Sequence, residues 1–304
     1  MRTNIIWTAI LVSTMLNAQV SKPPIIDMHM HSSTEIWSEV SPCFPLGECE
    51  GIKTTVRDPK ELLDSTITQM DKHNIVLAVL SGNDLDESYR WAKADSRFIV
   101  GPMIEIPADV DLNRIRKDIE DGKIKIMGEI TSQYAGLAIN DPSLEKVMEL
   151  ASEFNIPVQA HVTGTGGGAN FPTAKGDPLL VSEVIQKNPG LKIYMENAGF
   201  PYVDKTVSLM YTYPTAYGDL STLTWIVPRN VFYKYLRELM EAGLGKRLMF
   251  GSDQMLWPRR IEDGIDAINS AEFLTDEEKR DIFYNNAARF LNLSEAEIKE
   301  HHEN

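Results

Sequence analysis

The chain has 304 residues, 43% of them hydrophobic and 24% charged, with a formal net charge of -14. This length permits one large domain or two ordinary ones, and the composition is that of a soluble globular protein with ample material for a core. So acidic a chain repels phosphate backbones and anionic lipid, which excludes nucleic acid and membrane surfaces as expected partners.

The first segment is set aside from the fold. Residues 1–18 carry Arg2, then an apolar run from Ile5 to Leu16, and end at Ala18. The run is shorter than the roughly 20 residues that span a bilayer, and it fits a cleavable secretory signal peptide cut after Ala18. The expected mature chain, residues 19–304, is then secreted or periplasmic with no stable membrane span. Cys43 and Cys49 lie in the loop SPCFPLGECEG. In an oxidising compartment they would close a local disulfide; otherwise they are two thiols, too few for a closed metal site.

From residue 25 onward, short β-branched runs alternate with amphipathic helical patterns. Strands are predicted at 25–31 (IIDMHMH), 75–81, 98–104, 125–130, 157–162, 192–197, 215–221 and 247–252. Asp58-Pro59, Asp141-Pro142 and Asp177-Pro178 each place an N-cap acid before a first-turn proline. A further helical pattern, PRNVFYKYLRELMEAG at 228–243, closes on a glycine. This rhythm predicts an α/β fold of one domain, the (β/α)8 or TIM barrel. An open doubly wound sheet is the alternative, weakened because no G-x-G-x-x-G follows a strand. GTGGG at 164–168 lacks the P-loop spacing and lysine, and reads as a loop over a site.

A barrel gathers its chemistry at the C-terminal ends of its strands. The polar residues there are Asp27, His29 and His31, then Glu129, His161, Glu196, Asn197, Asp219 and Asp253. Residues two apart on a strand share a face. Asp27, His29 and His31 are therefore expected to point into the barrel, with Ile26, Met28 and Met30 packed outward against helices. Two imidazoles on one face can grip an ion. His161 and Asp253 would complete three imidazoles and one carboxylate, with a position left for water. Such a set suits a divalent metal, zinc first, with manganese, iron or cobalt as alternatives.

The stretches IDMHMH, GEI, VQAHV, GSD and the closing YNNAARFLNL resemble the amidohydrolase superfamily over about residues 24–293. The likeness is to the branch related to aminocarboxymuconate-semialdehyde decarboxylase and to metal-dependent hydrolases. It implies the barrel, metal ligation by His29, His31, His161 and Asp253, and Asp253 as the group that also handles the proton of the attacking water. Two departures matter. Many relatives carry a His-x-Gly pattern at the end of strand 6, and ENAGFP puts Asn197 there. Asn197 can donate a hydrogen bond to substrate but cannot serve as a general acid near neutral pH. Decarboxylases of this branch rely on that histidine. Hydrolysis of an ester, lactone, amide or similar bond is therefore expected first. Non-oxidative decarboxylation or hydration on the same metal is the alternative, and a catalytically silent barrel that only binds is the third reading.

Glu129 stands where two-metal members carry a bridging group. One ion is favoured over two, because three strand-end histidines hold a second poorly. Glu129 is then a weak second-site ligand, a partner behind the first ion, or simply ion-paired in the barrel mouth. Substrate contacts are expected from Trp225, Arg229, Trp257 and Tyr202, with Arg259 and Arg260 nearby. Aromatic walls and an arginine suit a small carboxylated or cyclic organic substrate; the arginines otherwise only begin helices. A homodimer is left open.

Overall fold

The computed structural model describes residues 22–36, 54–166 and 171–303. The expected signal segment and the Cys43–Cys49 loop lie outside the described residues. Eight strands follow one another: β1 (Ile25–Ser32), β2 (Ile75–Gly82), β3 (Phe98–Val100), β4 (Met127–Ile130), β5 (Val158–Ala160), β6 (Ile193–Met195), β7 (Ala216–Asp219) and β8 (Leu248–Met249). They pair in sequence order, β1-β2-β3 and β4-β5-β6-β7-β8, and every pairing is parallel. Bridges from Val100 to Ile124 and from Ile104 to Ile130 join β3 to β4. Met28 N donates to Phe250 O (2.9 Å), and Asp253 N to His29 O (2.7 Å), which ties the end of β8 to β1. The sheet thus closes on itself as the predicted (β/α)8 barrel.

The helices α1 (Pro59–His73), α2 (Leu85–Ala94), α3 (Leu112–Glu120), α4 (Glu145–Glu153), α5 (Val181–Lys187) and α6 (Val203–Thr212) follow the first six strands. The short α7 (Leu223–Ile226) and then α8 (Arg229–Glu241) follow β7, and α9 (Arg260–Asn269) follows β8. Three pieces end the chain: α10 (Asp276–Arg280), α11 (Asn286–Phe290) and α12 (Glu295–Glu303). The Asp-Pro starts work as predicted. Asp58 accepts from Glu61 N, Asp141 from Ser143 N and Asp177 from Leu179 N.

Several strands are shorter than their apolar runs. β3 stops at Val100 because Gly101-Pro102 follows, and proline has no N–H for the ladder. β6 stops at Met195 because Asn197 and Ala198 take left-handed backbone angles, φ 53° and 46°.

Two apolar layers result. One lies between strands and helices and includes Met30, Ala78, Leu80 and Trp91. The other fills the barrel: Ile26, Met28, Val79, Ile126, Tyr194 and Met249, with Tyr284, Ala287 and Phe290 of the C-terminal segment packed against them. This corrects the alternation expected for β1. Ile26 and Met28 belong to the inner layer, and only Met30 packs outward. The cause is a slip in register: β1 takes three steps from Asp27 to Met30 while β2 takes two from Ala78 to Leu80. Such a bulge lets the consecutive residues Met28 and His29 both serve the barrel interior. Asp27 becomes a stitch rather than a site group. Its Oδ1 accepts the backbone N–H groups of His29 (3.0 Å) and Ser252 (2.9 Å).

Candidate metal centre

Four side chains converge at the C-terminal mouth. His29 Nε2 and His31 Nε2 are 3.1 Å apart. Asp253 Oδ1 lies 3.7 Å from the first and 3.0 Å from the second. Glu129 Oε2 lies 3.6 and 3.4 Å from them. Donor atoms about 2.1 Å from a common tetrahedral ion sit about 3.4 Å from one another. The edges among His29, His31 and Asp253 bracket that value, so these three donors suit one divalent cation, with Glu129 beside both imidazoles.

Local backbone explains how each arrives. The bulge in β1 delivers the two histidines. Asp253, in the loop after β8, takes a left-handed φ of 47° where its carboxylate meets the histidines. Glu129 follows Gly128, whose φ of 126° and closeness to β5 leave no room for a side chain. A Cβ there would stand 2.3 Å from Gln159 O.

The electrostatics agree. Glu129, Glu196, Asp219 and Asp253 are all buried, and each keeps one carboxylate oxygen without a hydrogen-bond partner. Their ion pairs among the described residues are to His29 and His31. Burial alone would depress His29, yet the surrounding carboxylates, Asp253 first, hold it well above the usual imidazole value. Burial, reinforced by the charge of Glu129, drives Glu196 well above the carboxylate range. Burial would also raise Asp253, but the facing His29 and His31 more than offset it. So many buried acids need positive charge, and a divalent ion supplies it without protonating the ligands.

His161 does not join these donors. Gln133 Nε2 donates to Thr163 O (2.9 Å), so Gln133 Oε1 accepts from His161 Nδ1 (3.2 Å). This leaves His161 Nε2 as an acceptor, and it faces the Tyr134 hydroxyl at 3.3 Å. Behind His29 the logic is the same. Ser221 Oγ donates to Asp219, so it accepts from His29 Nδ1 at 2.8 Å and leaves Nε2 for an ion. Such partners fix the tautomer and orientation of a ligating imidazole. Ser221→Ala is therefore expected to weaken divalent-metal affinity by about tenfold or more, read by competition with a chelating dye. Unchanged affinity would remove Ser221 from the site.

The remaining predicted residues divide. Asn197 Oδ1 accepts from Thr222 Oγ1 (2.8 Å) and Leu223 N (3.2 Å), so it pins the start of α7, and only its Nδ2 is left to donate elsewhere. Trp225 Nε1 donates to Ser252 O (2.8 Å), one residue before Asp253, and its ring lies 6.3 Å from that of Trp257. Tyr202 packs beside Gly164 and reaches Thr173 O at 3.4 Å. Arg229 is exposed on the first turn of α8 and stacks over Tyr233, whose hydroxyl donates to Ala267 O in α9. It belongs to the helix layer, not to the donor cluster.

Three contributors had no role assigned from sequence. Glu196 Oε1 is 3.9 Å from His29 Nε2, and Glu196, His29 and Glu129 form a second group of potential ligands. Period-two counting from Tyr194 in the barrel interior would have pointed to it instead of Asn197. Tyr134 and Phe171 flank His161, with ring centroids 4.8 and 5.9 Å away. No motif marks them, because each sits in a loop.

A family model described as Amidohydrolase matches residues 26–293. The chain belongs to the amidohydrolase family. Protein fluG of Emericella nidulans is 24% identical to this amidohydrolase over 156 residues, which are 46% of the present chain and 18% of that protein. The chain thus covers under a fifth of that relative's length. Two solved structures share the fold at a TM-score of 0.60. One is a probable 2-pyrone-4,6-dicarboxylic acid hydrolase from Acinetobacter baumannii (16% identity, 88% of this chain and 99% of that one). The other is a 5-carboxyvanillate decarboxylase from Novosphingobium aromaticivorans complexed with manganese (15% identity, 89% and 96%). The family is metal-dependent, and its members span hydrolysis and decarboxylation.

Proposed function

We propose that this amidohydrolase is an exported hydrolase that cleaves an ester, lactone, amide or similar bond of a small organic molecule. The observation that carries the reading is the trio His29, His31 and Asp253, spaced for one divalent ion, with the buried Glu129 beside both imidazoles. His161, whose Nε2 faces the Tyr134 hydroxyl, would serve as a further ligand on metal binding. Zinc suits the imidazoles; manganese suits the carboxylates equally well.

A divalent ion held there would polarise the substrate carbonyl and make water acidic enough to lose a proton near neutral pH. The chain's own groups do the rest. Asp253 takes that proton and returns it to the leaving group. Asn197, oriented by Thr222 and Leu223, offers its Nδ2 to a substrate oxygen. Trp225, held beside Asp253, and the Tyr134–Phe171 pair beside His161 would supply aromatic surface to a planar or cyclic substrate. Decarboxylation or hydration on the same ion is the alternative. Asn197 disfavours it, since an amide cannot supply a proton to carbon.

The test is metal content followed by turnover. Protein purified without chelator is expected to carry about one equivalent of zinc or manganese, and to hydrolyse a member of a panel of lactones, esters and amides. Less than about half an equivalent would reject the metal reading. Carbon dioxide released from a carboxylated aromatic, with no hydrolysis in the panel, would replace hydrolysis by decarboxylation.

A further inference from the structure

We propose that the N-terminal end of the barrel, opposite the metal centre, carries a separate ligand site: a cleft for an amphiphilic organic anion of the medium-chain carboxylate kind. The cleft has a volume of about 850 Å³, within the range of small-molecule sites. It runs along the seam between α2 and α3 to the lower rim, where β2 and β3 begin and where Lys125 and Pro157 precede β4 and β5. Its floor is apolar: Leu77, Phe98, Ile99, Pro157, Leu291 and Leu293. Of these, Leu77, Ile99, Leu291 and Leu293 pack on the inner barrel layer yet stay only half-buried. Apolar surface gathered inside a concave, charged rim marks a binding site rather than a closed barrel end.

The charges decide the ligand class. Four cations and three acids line the cleft, in a chain whose net charge is -14. The acids are already engaged. Asp118 accepts from the Tyr89 hydroxyl (2.8 Å) and from Lys123 Nζ (3.1 Å), and Asp86 pairs with Arg114. Glu297 Oε2 accepts from Ser294 N and Oγ at 2.7 and 2.6 Å. Lys93 and Lys125 are the surplus. Both are exposed, and among the described residues neither has a carboxylate within 4.0 Å. One stands in the last turn of α2 and the other on the approach to β4, so the cleft, not a single helix, brings them together. A carboxylate head held by these ammonium groups, with an alkyl body along the floor, suits both halves of the lining. The acidic remainder of the surface disfavours a polyanion.

Octanoate, decanoate and decanol, each below its micelle-forming concentration, are titrated calorimetrically into metal-loaded wild-type protein and into the double variant Lys93→Gln/Lys125→Gln. Glutamine keeps part of each apolar stem and removes the charge; both side chains are exposed, so the fold and the metal content are expected to be unchanged. The wild type is expected to bind about one decanoate per chain. It should do so about tenfold more tightly than octanoate, as further buried methylenes give, and more tightly than decanol. The variant is expected to bind decanoate at least about fivefold more weakly, as the loss of exposed charge contacts gives, and no better than decanol. Equal decanoate affinity in the two proteins would place the carboxylate elsewhere, such as at the metal mouth, and overturn the cleft. Equal wild-type affinity for decanoate and decanol would overturn the anion class. Absence of saturable binding would overturn the site outright. The metal reading stands or falls separately, on metal content measured in the same preparations.

Discussion

Asp253→Asn is expected to lower kcat by about a thousandfold or more while most of the metal stays bound. The substitution keeps an oxygen in the place of Oδ1, which now lies 3.0 Å from His31 Nε2 and 3.7 Å from His29 Nε2. It also keeps the backbone bond from Asp253 N to His29 O, which sets the loop after β8. What it removes is a carboxylate that can receive and return a proton. The wild-type group is suited to that exchange because the two imidazoles hold its carboxyl below the usual range despite burial, so it enters the cycle ionised. Turnover of the best panel substrate and metal content would be measured on the same preparation. Full activity in the variant would remove Asp253 from proton transfer. Lost metal together with lost activity would show only that the carboxylate is a ligand.

The barrel was legible because its signals are local and repeated. Apolar runs of strand length, and acid-proline pairs before helices, need no knowledge of what they pack against. Pairs on one strand were legible for the same reason, and His29 with His31 is such a pair. The errors came where geometry is set by a neighbouring strand. The bulge in β1 exists in register against β2, and no feature of IIDMHMH announces it; strict alternation therefore sent Met28 to the wrong layer. At the end of β6 the likeness to His-x-Gly drew attention to Asn197. Strand alternation from Tyr194 points Glu196 towards His29, and the left-handed turn that follows uses the Asn197 side chain to hold α7. Loop residues such as Tyr134 reach His161 only through tertiary folding, so no spacing rule could find them.

The same bulge leads to the second large effect, on stability. Asp27 is fully buried, with Oδ1 bound by two backbone N–H groups and Oδ2 without a partner. Burial pushes its carboxyl up from 3.8 to about 7, against the opposing pull of the hydrogen bonds from Ser252 and His29. A folded value above the unfolded one means that the folded protein binds the proton more tightly. The stabilising contribution is therefore complete below pH 3.8 and is lost as the pH rises towards about 7. A carboxyl held that far above its unfolded value changes stability by about 4 kcal/mol at most across this range. Asp27→Asn keeps an oxygen for both backbone donors and never ionises. It costs about 1–3 kcal/mol at low pH for an unmet buried N–H, and then gains on the wild type as pH rises. Urea unfolding of both proteins at equal metal content, at about pH 5 and about pH 8, is expected to show the variant's relative stability rising by a few kcal/mol. Every other titrating group is common to the two proteins, so parallel pH profiles would mean that Asp27 does not hold a proton in the folded barrel.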